Sequence, residues 1–70
     1  MTTEMQIKLN GEGRSFPTGT TLTQLVEALN LEPERVAIEL NRVIIRRAEW
    51  ASTIVENAAE VEVVMFVGGG

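Results

Sequence analysis

The sequence predicts an α+β domain, in which a β-hairpin is followed by one short helix and three further strands. Three observations support this prediction. Residues 5–9 and the first half of residues 60–67 alternate between apolar and polar side chains, as half-buried strands do. Asn10-Gly11, directly after the first alternating segment, is the strongest short signal for a hairpin turn. Residues 22–29 instead carry apolar side chains at the three- and four-residue spacing of a helix.

The predicted hairpin has its first strand at residues 5–9, its turn at residues 10–13 and its second strand at residues 14–16. The inward-facing side chains of the first strand share a period of two and are Met5, Ile7 and Leu9. Phe16 is predicted to point inward from the second strand, which ends at Pro17 because proline lacks the N–H that a strand ladder needs.

The predicted helix begins with a capping box, with Thr21 at the N-cap and Gln24 at the third helical position. Its apolar stripe has the spacing i, i+3, i+4 and i+7 and consists of Leu22, Leu25, Val26 and Leu29. Asn30 can adopt the left-handed conformation that ends a helix, and Pro33 prevents its continuation. A helix of about eight residues is not stable alone, so we expect the stripe to pack on a sheet.

Two strands are predicted after the helix, at residues 36–40 and 43–45, with a turn at Asn41-Arg42 between them. Trp50 is interpreted as a buried core residue, and Ile54 is predicted to lie on the same side of an irregular turn or short helix. Residues 57–59 then form a turn before the last strand, which is predicted at residues 60–67. Arg46 and Arg47 are interpreted as part of a solvated loop, with binding of a phosphate or an acidic partner as the alternative.

The order strand, strand, helix, strand, short strand, strand resembles the β-grasp, or ubiquitin-like, fold. That fold is a mixed sheet of four to five strands with one main helix packed on one face, and the resemblance, not the pattern, implies the order of the strands in the sheet. The sequence contains no repeat or linker. Residues 1–70 are therefore predicted to form a single domain, with a loose N-terminus at residues 1–4 and a flexible glycine tail at residues 68–70.

Composition excludes several classes of function. The net charge is −4, which argues against nucleic-acid binding and suits a basic partner surface. The chain has no Cys and no His, so it offers no thiol nucleophile, no histidine base and few metal ligands, and we expect neither a metal nor a bound cofactor. No apolar run is long enough to span a membrane and no signal peptide is recognisable, from which we expect a cytoplasmic protein without membrane partners. Binding or carriage is thus favoured over independent catalysis.

The last predicted strand changes character before the terminal glycines. One face has a period of two and is predicted to lie in the core, with Val61, Val63, Met65 and Val67. The other face begins with Glu60 and Glu62 and continues with Val64 and Phe66. We expect Val64 and Phe66 to be exposed as a docking surface, and the alternative is that the loop carrying Trp50 covers Phe66.

The chain ends in Gly68-Gly69-Gly70. Glycines add no packing and lose the most entropy on ordering, but a chain without Cβ atoms can enter a narrow channel. Fully extended, three residues reach about 10 Å. The tail is therefore predicted to present a terminal carboxylate to another protein, and a frayed terminus is the alternative.

Four segments together resemble the ThiS family, the sulfur carrier proteins of thiamine (thiazole) biosynthesis. They are residues 5–12, residues 36–41, Arg47 with Trp50, and residues 64–70. The resemblance covers residues 5–70. The glycine ending alone is shared by ubiquitin-like proteins in general, so the combination carries the resemblance.

The resemblance implies that Gly70 is the reacting residue of a protein co-substrate and not part of an enzyme. A ThiF-type adenylating enzyme would use ATP to convert the Gly70 carboxylate into an acyl adenylate. Sulfur from a persulfide-carrying sulfurtransferase or cysteine desulfurase would then displace AMP and leave a thiocarboxylate, from which a ThiG-type thiazole synthase would take the sulfur. Gly68, Gly69, Val64 and Phe66 are the predicted partner contacts.

The chain departs from the family pattern at two turns. Family members often carry glycine at the position of Arg42, so Arg42 is predicted to adopt another turn type or to be strained. Many carry an Asp-Gly-Asp-like turn at residues 57–59, where we predict that Asn57 takes the left-handed conformation. Three other functions remain open: a molybdopterin-synthase small-subunit-like sulfur carrier, a ubiquitin-like modifier joined through Gly70 to lysine, and an interaction domain with an inert tail.

Overall fold

The computed structural model describes residues 3–66 and has the predicted elements in the predicted order. Its strands and helix are β1 (Glu4–Leu9), β2 (Glu12–Pro17), α1 (Leu22–Ala28), β3 (Val36–Leu40), β4 (Val43–Ile45) and β5 (Glu60–Met65). Two 3₁₀ helices, Pro33–Arg35 and Arg47–Ser52, connect them. The predictions for residues 1–2 and 67–70, including the glycine tail, lie outside the described residues.

The five strands form one mixed sheet in the order β2-β1-β5-β3-β4. β1 and β5 are parallel neighbours, and the other three pairings are antiparallel. The helix α1 packs on one face of this sheet, which confirms the predicted α+β class and the β-grasp arrangement. We call the other face the open face.

The hairpin between β1 and β2 closes through a two-residue turn, since Leu9 pairs with Glu12. Asn10 and Gly11 both have positive φ angles, 51° and 83°, as the type I′ turn requires. The N-terminus differs from the prediction, because β1 begins at Glu4 and the Thr3 carbonyl accepts a hydrogen bond from the Thr18 N–H at 2.8 Å. Residues 3 and 4 are therefore attached to the hairpin and are not loose.

The predicted helix cap is confirmed. The Thr21 side chain accepts from the Gln24 N–H at 3.2 Å, and the Gln24 side chain accepts from the Thr21 N–H at 3.0 Å. Leu29 is only partly buried, because α1 ends at Ala28, and Asn30 has the predicted left-handed φ of 59°. The helix contributes its three fully buried side chains to the core, namely Leu22, Leu25 and Val26.

The core-facing prediction for β5 holds at Val61 and Val63 but is wrong at Met65, whose side chain is 57% exposed. Seven helical residues span about 10 Å, whereas six strand residues span about 20 Å. Because the helix is the shorter element, Met65 lies on the helix side in an open groove with Leu29 and Leu31.

The segment before β5 confirms one prediction and corrects another. Trp50 is buried, and its indole N–H donates to the Ile45 carbonyl at 2.9 Å. Ile54 does not share its side: Ile54 is exposed and Val55 is buried instead. The cause is the extended backbone at this point, where Ile54 bridges to Thr21, because neighbouring residues of extended chain point to opposite sides.

Two further turns, besides those at Asn10 and Asn30, place non-glycine residues in the left-handed region. At residues 57–59 the left-handed residue is Ala58, with φ 70°, and not Asn57 as predicted. Asn57 instead uses its side-chain oxygen to accept the Gln6 N–H at 2.9 Å. Asn41 and Arg42 have φ angles of 51° and 70°, so Arg42 occupies the position that favours glycine and carries the strain that its departure from the family pattern suggested.

Candidate functional site

The site is the end of β5, where the open face changes from charged to apolar. Val64 is 55% exposed and Phe66 is 57% exposed, which confirms the predicted exposure of both side chains. They continue the face that begins with Glu60 and Glu62, as the period of two requires. Trp50 is buried, and Phe66 remains exposed although both side chains line the same shallow groove.

The apolar surface extends from β5 across the two neighbouring strands. Ala37 lies directly opposite Val64 in the β3–β5 pairing. Ile44, the middle residue of the edge strand β4, is 69% exposed and lines one shallow groove with Ala37 and Phe66. We call these four residues, Ala37, Ile44, Val64 and Phe66, the apolar patch. Three of them, Ile44, Val64 and Phe66, are large and exposed, and apolar side chains grouped in this way are typical of an interaction site.

Charged side chains border the patch on two sides. Arg46 and Arg47, both exposed, lie on the rim of the groove that contains Phe66. On the other side, the open face carries three glutamates, which we call the acidic band: Glu39, Glu60 and Glu62. Two cations border the band. Lys8 lies directly opposite Glu60 in the β1–β5 pairing and lines the same groove, and the Arg42 Nε lies 3.8 Å from a Glu60 carboxylate oxygen, with both side chains exposed. Glu34 lines the same groove as Arg46 and Arg47, so the patch lies between two regions of mixed charge, one with an excess of arginines and the other with an excess of glutamates.

The main chain at the end of β5 is held firmly on its β3 side. The pairing with β3 continues to Met65, opposite Val36. One residue later, the Phe66 N–H donates to the Arg35 carbonyl at 2.8 Å. Phe66, the last described residue, therefore has its main chain fixed to β3 and its side chain in the apolar patch.

The structure brings together only part of the predicted site. Val64 and Phe66 lie on one surface, and their role in partner binding stays a prediction, while Gly68, Gly69 and Gly70 lie outside the described residues. Ile44 and Ala37 belong to the surface but were not predicted to belong to it. A signal for Ala37 existed, since it alternates with the core residues Val36 and Ile38 and so had to face away from them.

The described residues offer an apolar binding surface. Within residues 3–66, no group of three or more His, Cys, Asp or Glu side chains is arranged to hold a metal ion. No helix in this part of the chain is long and apolar enough to cross a membrane. The grooves beside the patch are open and shallow, which suits contact with another protein better than enclosure of a small molecule.

Comparison with known proteins gives one family. A sequence model of the ThiS family matches residues 7–70. The chain is 29% identical over 66 residues to the sulfur carrier protein ThiS of Escherichia coli. The aligned residues cover 94% of this chain and 100% of that protein. A solved structure of the thiamine biosynthesis protein ThiS from Geobacter metallireducens superposes with a TM-score of 0.82, at 30% identity, covering 94% of this chain and 100% of that chain.

Two further relatives are larger proteins. The chain is 39% identical over 66 residues to a thiazole synthase of Magnetococcus marinus and 33% identical to one of Paramagnetospirillum magneticum. In both cases the aligned residues cover 94% of this chain but only 20% of the length of the relative. The likeness to these two proteins therefore concerns a segment of each.

Proposed function

Because the chain belongs to the ThiS family, we propose that it is a sulfur carrier in thiamine biosynthesis and that the Gly70 carboxylate carries the sulfur. The observation that carries this proposal is the apolar patch beside the end of β5, whose residues Val64 and Phe66 are six and four positions before Gly70. A partner that docks on Val64 and Phe66 lies close to Gly70, since an extended chain advances at most about 3.3–3.6 Å per residue.

The proposed chemistry has two stages. A ThiF-type adenylating enzyme uses ATP to join the Gly70 carboxylate to AMP, with release of pyrophosphate. The terminal sulfur of a persulfide, held by a sulfurtransferase or a cysteine desulfurase, then attacks the acyl carbon and AMP leaves. A thiol cleaves the remaining sulfur–sulfur bond, and the thiocarboxylate stays on Gly70. Since ATP is required, we place this reaction in the cytoplasm.

The composition of the chain supports a co-substrate and not an enzyme. A carboxylate accepts a nucleophile only after its oxygen becomes part of a good leaving group, and the chain has no Cys or His to attack or to move protons. The partner therefore supplies the groups that position the reactants and stabilise charge. A terminal glycine leaves the reacting carbonyl sterically open.

A ThiG-type thiazole synthase is the proposed recipient of the sulfur. The support is that two relatives named thiazole synthase contain a segment similar to almost the whole of this chain. A carrier segment within a thiazole synthase keeps donor and acceptor at a high effective concentration. For a separate carrier, a docking surface such as the apolar patch would serve the same purpose.

The charges around the patch support docking in one orientation. The acidic band favours a basic partner surface on one side of the patch, and Arg46 and Arg47 favour an acidic one beside Phe66. A partner with a basic region on one side and an acidic region on the other would bind in one orientation. In the reversed orientation its charges would meet like charges of this chain. The tail would then enter the partner's active site from one side only.

The test is the intact mass of the protein after incubation with an adenylating enzyme of this family, ATP and a persulfide donor. We expect a mass gain equal to replacement of one oxygen by sulfur, located at Gly70 by fragmentation. Omission of ATP is the control and should abolish the gain. An adduct between Gly70 and a lysine would instead indicate a protein modifier, and an unchanged mass would indicate an interaction domain. Transfer of the sulfur to thiazole synthase, compared with transfer to a molybdopterin synthase, separates the two carrier functions.

A further inference from the structure

The two edges of β5 lose their strand partners at different positions. On the β3 side, backbone contacts continue to Phe66, whose N–H is bonded to the Arg35 carbonyl. On the β1 side, pairing extends only from Lys8 opposite Glu60 to Leu9 opposite Val61, because the chain then turns into β2. The final part of β5 thus has a strand neighbour on one edge only.

The side chain of Asn10 takes the place of the missing strand. Its oxygen accepts the Val63 N–H at 2.8 Å, and its amide nitrogen donates to the Val63 carbonyl at 3.3 Å. The Asn10 main-chain N–H also donates to the Val61 carbonyl at 2.9 Å. A carboxamide has the same donor and acceptor as a peptide group, so Asn10 extends the β1 edge by one pair of hydrogen bonds toward the tail.

We propose that Asn10 is a positioning residue for the adenylation of the chain, because it fixes the direction of the main chain at the end of β5. This inference rests on the proposed function. With Asn10 in place, β5 is held on both edges as far as Val63. Without its side chain, residues 62–66 would be held from the β3 side alone and could pivot about that edge. The direction of the main chain at Phe66, the last described residue, would then vary more than it does with Asn10 in place.

Small errors of direction matter because the reacting carboxylate must meet an activated phosphate in one geometry. A displacement of about 1 Å at a reacting group can lower a rate roughly a hundredfold. Docking depends on the apolar patch and on charge, and these side chains stay on the open face as long as β5 remains paired with β3, so docking should change less than the direction of the strand end. Loss of the Asn10 side chain should therefore lower kcat more than it raises KM.

The chain provides a matched control in Asn41. Asn10 and Asn41 each occupy the first position of a two-residue turn, and both have φ 51°. The Asn41 side chain also binds β5, since its oxygen accepts the Glu60 N–H at 2.9 Å, but it does so at the first residue of the strand. Glycine preserves the positive φ at either position, so Asn10→Gly and Asn41→Gly each remove one side-chain support of β5 and leave the turn intact.

The experiment measures steady-state adenylation of the full chain by its adenylating enzyme, as ATP-dependent pyrophosphate exchange, below the melting temperature of every variant. For Asn10→Gly we expect kcat to fall roughly fivefold or more, with KM within about twofold of wild type. For Asn41→Gly we expect both kcat and KM to stay within about twofold of wild type. Hydrogen exchange at the Val63 amide should accelerate roughly tenfold in Asn10→Gly and not in Asn41→Gly.

A conservative variant separates positioning from stability. Asn10→Asp keeps an acceptor for the Val63 N–H but loses the donor to the Val63 carbonyl, so we expect its kcat to lie between those of wild type and Asn10→Gly. If Asn10→Gly does not fold, Asn10→Asp takes its place in the comparison. If Asn10→Gly and Asn41→Gly have equal kcat values, the positioning role is overturned while the proposed function stands. The same holds for Asn10→Asp where it replaces Asn10→Gly. A folded wild-type chain that is not adenylated at all would instead overturn the proposed function, and the positioning role with it.

Discussion

Glu39 and Glu62 lie directly opposite each other in the pairing of β3 with β5, on the open face of the sheet. Like charges at directly opposed positions destabilise a sheet. Within residues 3–66, neither carboxylate takes part in an ion pair, since the two ion pairs of this region join Arg35 to Glu32 and Arg42 to Glu60. A basic partner surface that docks here would offset the repulsion between the two carboxylates. The pair would then lower the stability of the free protein and favour the proposed docking.

The first prediction concerns Glu62→Gln. The change removes the repulsion with Glu39, so we expect the free energy of unfolding to rise by about 0.2–1 kcal/mol. Binding to the adenylating enzyme should become weaker and less sensitive to salt, because one screened attraction is lost. Glu27→Gln, on the exposed side of α1, is the control for the change in net charge. The prediction is wrong if the two variants bind the enzyme equally well at low ionic strength.

Local signals in the sequence were sufficient for most of the fold. Asn10-Gly11 predicted the first hairpin because few other residue pairs accept two positive φ angles, and the Thr21/Gln24 pair marked the start of α1. The period of two in β5 also predicted correctly that Val64 and Phe66 are exposed.

The errors arose where a property depends on distant parts of the chain. Periodicity assigned Met65 to a face but could not show that the helix ends before covering it. Ile44 was not predicted as part of the site, since three residues are too few to define a period, and its surface exists only because β3 lies next to β5. Asn57 was assigned the left-handed conformation from its residue type, but its side chain is engaged with Gln6, so Ala58 takes it instead.

The second prediction concerns the chain end. Deletion of Gly70, or addition of one residue after it, should abolish ATP-dependent sulfur incorporation, because the carboxylate is no longer at the position that the partner activates. The melting temperature should stay near that of wild type, since the apolar core lies within residues 5–63. Intact mass and thermal melts of both variants check this. Sulfur found on the added residue, or on a side chain, would exclude the proposed reaction at Gly70.

The third prediction concerns the helix. Leu25→Ala should lower the free energy of unfolding by about 2–5 kcal/mol, because a fully buried side chain is lost and a cavity remains. Leu29→Ala makes the same chemical change on the same apolar stripe, where the side chain is only partly buried, and should cost less. Urea unfolding of the two variants measures the difference. Equal losses would mean that Leu25 and Leu29 contribute alike to the core.

The fourth prediction concerns the strained turn before β5. Ala58→Gly should raise the free energy of unfolding by about 0.5–1 kcal/mol, because the left-handed conformation costs a non-glycine residue about 1–2 kcal/mol, and the greater entropy of unfolded glycine offsets part of the gain. Ala28→Gly, at the last residue of α1, is the matched control and should destabilise. Thermal unfolding distinguishes them, and a loss of stability in Ala58→Gly would contradict the turn conformation.

The last prediction separates docking from folding on a single strand. Phe66 is 57% exposed and Val61 is 1% exposed, and they belong to opposite faces of the chain around β5. Phe66→Glu should leave the melting temperature almost unchanged but weaken binding to the adenylating enzyme and to thiazole synthase, by about 2 kcal/mol if Phe66 is a central anchor. Val61→Glu should instead unfold the domain, since it places an unpaired charge in the core. Parallel thermal melts and partner titrations test both variants. If Phe66→Glu binds both partners as tightly as wild type, the apolar patch is not the docking surface, whatever the chemistry at Gly70.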